Sequence, residues 1–201
     1  MKKSVLIVFL SALLSGCFST PAVEVSNICN LMDEEVSWYR AVKASEKKYG
    51  SPAHVQLAIM YQESRFASDA KPPREKLFGV VPWFRPSSAY GFAQAKDDTW
   101  DWYQLKTGNK DADRDDFEDA ADFVGWYINQ SSKLSGIAKS DAYNQYLAYH
   151  EGHGGFNKKS YLAKAWLMQV AKGVEQNAKR YKQQLNQCSS ALDSNSIWRF
   201  F

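Results

Sequence analysis

Glu63 stands out as the residue in this chain whose surroundings suit acid–base chemistry. On a helix, Ile59 and Met60 lie four and three residues before it and share its face. A carboxyl beside Ile and Met is poorly solvated, and desolvation raises its pKa. Glu63 also falls in the last turn of that helix, where the macrodipole disfavours negative charge. Both effects hold a proton on the carboxyl near neutral pH, the state a general acid needs. The same spacing equally fits a solvated helix glutamate paired with Arg65, and taken alone it favours that plainer reading.

A second cluster, His150-Glu151-Gly152-His153, suggests a metal. A zinc-binding helix carries its histidines at i and i+4 around the Glu, whereas these sit at i and i+3. Gly152, Gly154 and Gly155 should also break the helix. No metal site and no cofactor is expected. His54, the remaining histidine, falls in the first turn of the helix that carries Glu63 and should be exposed.

The elements that must position these groups are mostly helical. Met32, Val36, Tyr39 and Val42 keep helical spacing between Leu31 and Tyr49, and Gly50 is suited to end that helix. Ser51 as N-cap and Pro52 as first helical residue open the helix carrying Glu63, which runs to about Phe66. Residues 67–90 hold four of the six prolines and should form a loop. A short helix starts near Asp98. Asp115-Asp116 caps another that runs to about Asn129, Ser140 or Asp141 opens one through Tyr149, and the last covers 161–187. Only Leu77–Val81 has any strand character. The fold class is mainly α.

Composition bounds the function. The chain has 201 residues, 45% hydrophobic and 14% aromatic, with a formal net charge of +3. That length suits one globular domain, or two small ones at most. The mild basicity points to no nucleic-acid partner. No run reaches the ~18–20 apolar residues of a membrane span.

Lys2, Lys3 and the apolar run Val5–Leu14 have the charge and length of a secretory signal over residues 1–16. Leu14-Ser15-Gly16-Cys17 resembles a bacterial lipobox. That resemblance implies cleavage before Cys17, lipid on that cysteine, and a tether over 17–28 ahead of a domain spanning 29–201. Phe18, rather than Asp, resembles the pattern sent to an outer membrane, whose periplasmic face becomes the expected location. With Cys17 lipidated, Cys29 and Cys188 remain, and in an oxidising compartment they should bridge, two buried thiols being the other reading. Closing so long a loop stabilises by about 5 kcal/mol at most.

Three short motifs then occur in order. Tyr61-Gln62-Glu63-Ser64-Arg65-Phe66 resembles the Glu-Ser-x-Phe element of the lytic transglycosylases, relatives of goose-type lysozyme. Tyr90-Gly91-Phe92-Ala93-Gln94 resembles their Gly-Leu-Met-Gln element. Ala148-Tyr149-His150-Glu151-Gly152 resembles Ala-Tyr-Asn-x-Gly, with His150 in place of Asn and Glu151 as an added carboxylate. The resemblance implies a lysozyme-like helical domain that acts on peptidoglycan glycan strands. Glu63 would be the catalytic acid and base, and the substrate's own C6 hydroxyl the nucleophile. Ser64, Tyr90, Gly91, Gln94, Tyr149 and His150 would serve the substrate. Ser64 would position substrate or Glu63, Gly91 would let the backbone approach the sugar, and Tyr149 would hydrogen-bond Glu63. A hydrolase using Asp97, Asp98 or Glu151 as second carboxylate stays open, as does a non-catalytic glycan-binding lipoprotein. The apolar residues Phe78, Val80, Val81, Trp83 and Phe84 fit a core plug, a wall of the glycan groove, or contact with a membrane.

Overall fold

The computed structural model describes residues 25–77 and 79–198. The signal over 1–16, Cys17, most of the tether and Phe78 lie outside the described residues.

The expected first helix is two. Helix α1 spans Ile28–Glu34 and α2 spans Val36–Tyr49, with Glu35 between them at φ −107°, ψ 66°. Two partners explain the break: α1 lays Ile28, Leu31 and Met32 towards the C-terminal helix, while α2 packs mainly on a central one. Gly50, at φ 67°, ends α2 in the left-handed conformation that a residue without Cβ adopts most cheaply.

Helix α3, Ala53–Ser64, is the buried axis of the molecule: Val55 and every residue from Gln56 to Met60 is shielded from solvent. Pro52 occupies the cap position rather than the first helical one. Ser51 does not cap; its buried hydroxyl donates to the Gly125 carbonyl at 2.7 Å. His54 is half-buried rather than exposed, and desolvation, then Lys182, lowers its pKa. Arg65 and Phe66 both take positive φ, so the chain turns sharply just after Glu63.

Within the proline-rich segment, β1 (Lys76–Leu77) and β2 (Val81–Pro82) pair antiparallel as a small hairpin. Its Val80, Trp83 and Phe84 are 73%, 59% and 52% exposed, which rules out a core plug for these three. Helix α4 is Asp97–Thr107. Helix α5, Phe117–Ser135, is capped by Asp116, whose carboxylate accepts from the Glu118 and Asp119 amides. It outlasts the expected Asn129 and stops at Gly136. Helix α6, Ala142–Asn157, is interrupted at Gly152 (φ 71°, ψ 159°), yet Gly154 and Gly155 stay within its last turn. A 3-10 turn at Ser160–Ala163 leads into α7, Ala165–Trp198, which extends well beyond residue 187.

One core joins these elements. Trp38 of α2 stacks on Phe117 of α5 with ring centroids 4.2 Å apart and meets Phe92 edge-on at 5.4 Å. That cluster seats the 90–95 loop against the helices. Cys29 of α1 and Cys188 of α7 form the expected disulfide, 159 residues apart in sequence. Among the described residues, no helix is long and apolar enough to cross a membrane.

Candidate active site

The end of α3, the 90–95 loop, the start of α4 and the face of α6 enclose a pocket of about 460 Å³. Glu63, Gln94, Tyr149 and His150 line it, together with Asp98, Thr99, Phe123, Tyr127, Glu151 and Gly152. Six residues singled out from the sequence, Glu63, Gln94, Asp98, Tyr149, His150 and Glu151, therefore converge. Tyr90, Gly91 and Ser64 do not line it.

Burial is the main influence on Glu63 and pushes its pKa up to about 7; a hydrogen bond with Tyr146 pulls the other way without cancelling it. Tyr146, on α6, was not anticipated. It lies one turn before Tyr149, and that i, i+3 spacing was the available signal. Tyr149 differs from expectation in its partner. Its single hydroxyl proton goes to the Ala93 carbonyl at 2.6 Å, tying α6 to the 90–95 loop. Its ring packs on Tyr127, centroids 5.0 Å apart. Burial, then the charge of Glu63, raises the Tyr149 pKa far above the ordinary phenol value, so it stays neutral beside the carboxyl.

Other motif residues bond within the chain itself. The Ser64 hydroxyl is buried and donates to the Phe92 carbonyl at 2.8 Å, fixing the end of α3 to the loop. Gly91 sits at φ 75°, and a Cβ there would meet the Arg114 carbonyl oxygen at 1.9 Å. The closeness of Arg114 is therefore enough to require a residue without Cβ here. Tyr90 donates to Asp115 at 2.8 Å. Gln94, which lines the pocket, sits at positive φ and donates its amide to the Ala70 and Gly91 carbonyls, so that its oxygen is the acceptor it retains.

Of the three further carboxylates, Asp97 is paired with Arg114 at 2.8 Å and lies outside the lining. Asp98 is exposed and lines the pocket. Glu151 also lines it but is held on three sides: Lys164 at 2.6 Å, His150 at 3.1 Å, and the Ser160 hydroxyl. Desolvation pushes Glu151 upward, yet these donors and the Lys164 charge outweigh it and bring the pKa down to about 2. His153 turns away, its Nε2 lying 3.0 Å from the Ser131 hydroxyl. Among the described residues, no three of His, Cys, Asp and Glu gather where they could hold a metal ion.

A mostly helical, lysozyme-like domain with a glutamate at a cleft whose pKa is raised by burial is the class of protein that fold and site define. The chain belongs to the transglycosylase SLT domain family, whose model matches residues 5–188. Neither the curated proteins nor the solved structures gives a match. Membership brings a lytic transglycosylase-type function on peptidoglycan in general terms.

Proposed function

We propose that this chain cleaves the β-1,4 bond between N-acetylmuramic acid and N-acetylglucosamine and leaves a 1,6-anhydromuramyl end. One observation carries the reading: Glu63 lines a sugar-sized pocket with its pKa raised to about 7 by burial. Protonated Glu63 donates its proton to the bridging oxygen as the C1–O bond breaks. The muramyl C6 hydroxyl closes on C1, and the Glu63 carboxylate takes the hydroxyl's proton. The proton count balances, Glu63 returns to its starting form, and no water is consumed. Tyr146 steadies the carboxyl, and Gln94 offers the pocket an acceptor.

A hydrolytic outcome has one supporting observation, the exposed Asp98 on the same lining, which would activate water in place of the C6 hydroxyl. Mass analysis of digested peptidoglycan separates the two. Anhydromuramyl ends from wild type, and none from Glu63→Gln, support the proposal. Reducing ends alone would make the enzyme a hydrolase, with Asp98 the next residue to change.

We also propose export with lipid on Cys17, at the periplasmic face of an outer membrane. The charged, apolar N-terminus and the Leu14-Ser15-Gly16-Cys17 run support it, and a long-range disulfide suits an oxidising compartment. Radiolabelled palmitate should enter wild type and not Cys17→Ser; equal labelling would sink the assignment.

A further inference from the structure

The hairpin at residues 71–85 is used by nothing described so far. Among the described residues, its exposed apolar side chains Val80, Trp83 and Phe84 fall within five residues, whereas Leu105, Leu134, Leu162 and Trp166, also exposed, are scattered over four separate elements. Flanking them are the exposed cations Lys71, Arg74, Lys76 and Arg85, against a single acid, Glu75. This segment therefore carries a formal charge of +3, whereas the other residues of the chain from Cys17 onward sum to −2. Arg74 and Arg85 donate to the carbonyls of Trp83 and Pro72, neutral groups of the hairpin itself. Those bonds brace the hairpin without cancelling its charge.

We infer that the hairpin is a membrane-contact element that lays its exposed apolar side chains shallowly into an anionic lipid surface. Trp and Phe favour the boundary between headgroups and acyl chains, where a ring can be buried with its polar neighbours still wet. Cations set beside them meet anionic headgroups, and long Lys and Arg stems reach outward while their heads stay solvated. A sugar platform would need flat rings alone; the exposed aliphatic Val80 beside them suits an acyl-chain boundary better than a sugar face. The inference does not depend on Glu63 or on the lipid at Cys17.

The test uses the chain from residue 17 with Cys17→Ser, so that no lipid anchor contributes. Vesicles of one-third phosphatidylglycerol in phosphatidylethanolamine are sedimented with it, beside pure phosphatidylcholine. Wild type should bind the anionic vesicles at least about tenfold better, and salt should weaken the binding. Trp83→Ser with Phe84→Ser should lower it by more than roughly tenfold, and Lys76→Ser by roughly fivefold. Brominated lipid should quench tryptophan emission in wild type but less in Trp83→Phe, a variant that keeps an apolar ring. All three side chains lie outside the core, so melting temperature should hold. No vesicle binding by wild type, or equal binding by the variants, overturns the inference. Loss of binding to purified peptidoglycan in the double variant, with no vesicle binding by wild type, would make the hairpin a groove wall instead.

Discussion

Two glutamates share the lining of one pocket and are driven in opposite directions. Glu63, at the end of α3, is raised to about 7; Glu151, beside the kink of α6, is lowered to about 2. Burial pushes both upward, Glu63 from the deeper position, although the Glu151 side chain is itself only 4% exposed. What turns the sign at Glu151 is the supply of donors. Glu63 has one neutral tyrosine to offset its desolvation, whereas Glu151 receives an ammonium, a hydroxyl and an imidazole. The first is kept ready to give up a proton, and the second is committed to fixing the rim.

Exchanging the carboxyls tests this contrast most severely. Glu63→Gln should lower the rate of peptidoglycan cleavage by about 10²–10⁴-fold or more, since one carboxyl serves as acid and then base. Glu151→Gln should cost far less activity and leave the product ends unchanged. Equal losses would erase the distinction.

Stability should follow opposite pH trends. Folded Glu63 keeps its proton up to about pH 7, but the unfolded chain loses it near 4.5. The stabilisation from that proton is full below pH 4.5 and is lost as pH rises towards 7. Glu63→Gln should therefore be the more stable protein at pH 8, by up to roughly 3 kcal/mol, with the gap closing near pH 4.5. Denaturant melts of both proteins across that window measure it.

For Glu151 the sign reverses. Its contribution is present above about pH 4.5 and is lost as pH falls towards 2. Glu151→Gln should destabilise by about 1–3 kcal/mol at pH 7, because Lys164 loses its carboxylate. The difference should disappear in strong acid. A Glu151→Gln protein as stable as wild type at pH 7 would mean that the three donors are incidental.

The smallest effect belongs to Tyr146→Phe. Removing the bond that pulls Glu63 downward should move the alkaline limb of the rate profile to higher pH. The maximal rate should change by less than about tenfold. An unmoved limb would mean that Tyr146 does not reach the carboxyl in solution.

Much of this was legible in the sequence where local signals agreed. Gly50 and Pro52 marked the gap between α2 and α3, and Asp116 and Asp141 marked helix starts. The apolar neighbours of Glu63 anticipated the direction of its pKa. The illegible parts depend on distant partners. Glu35 breaks a helix because α1 and α2 pack on different neighbours, which spacing cannot reveal. Ser64 and Gly91 looked like substrate residues because they stand in motifs, yet one closes a bond to Phe92 and the other makes room for Arg114. Their motif positions are consistent with loop geometry that indirectly holds Gln94 at the pocket.

The Cys29–Cys188 bond has a consequence for proteolysis. It closes a covalent ring that contains every residue of the pocket lining. The exposed hairpin is the natural place for a protease to cut, and a cut there would put Glu63 on one piece and Tyr149 on the other. The ring keeps those pieces joined, so a nicked molecule retains both halves of its pocket and separates only when a thiol opens the bridge.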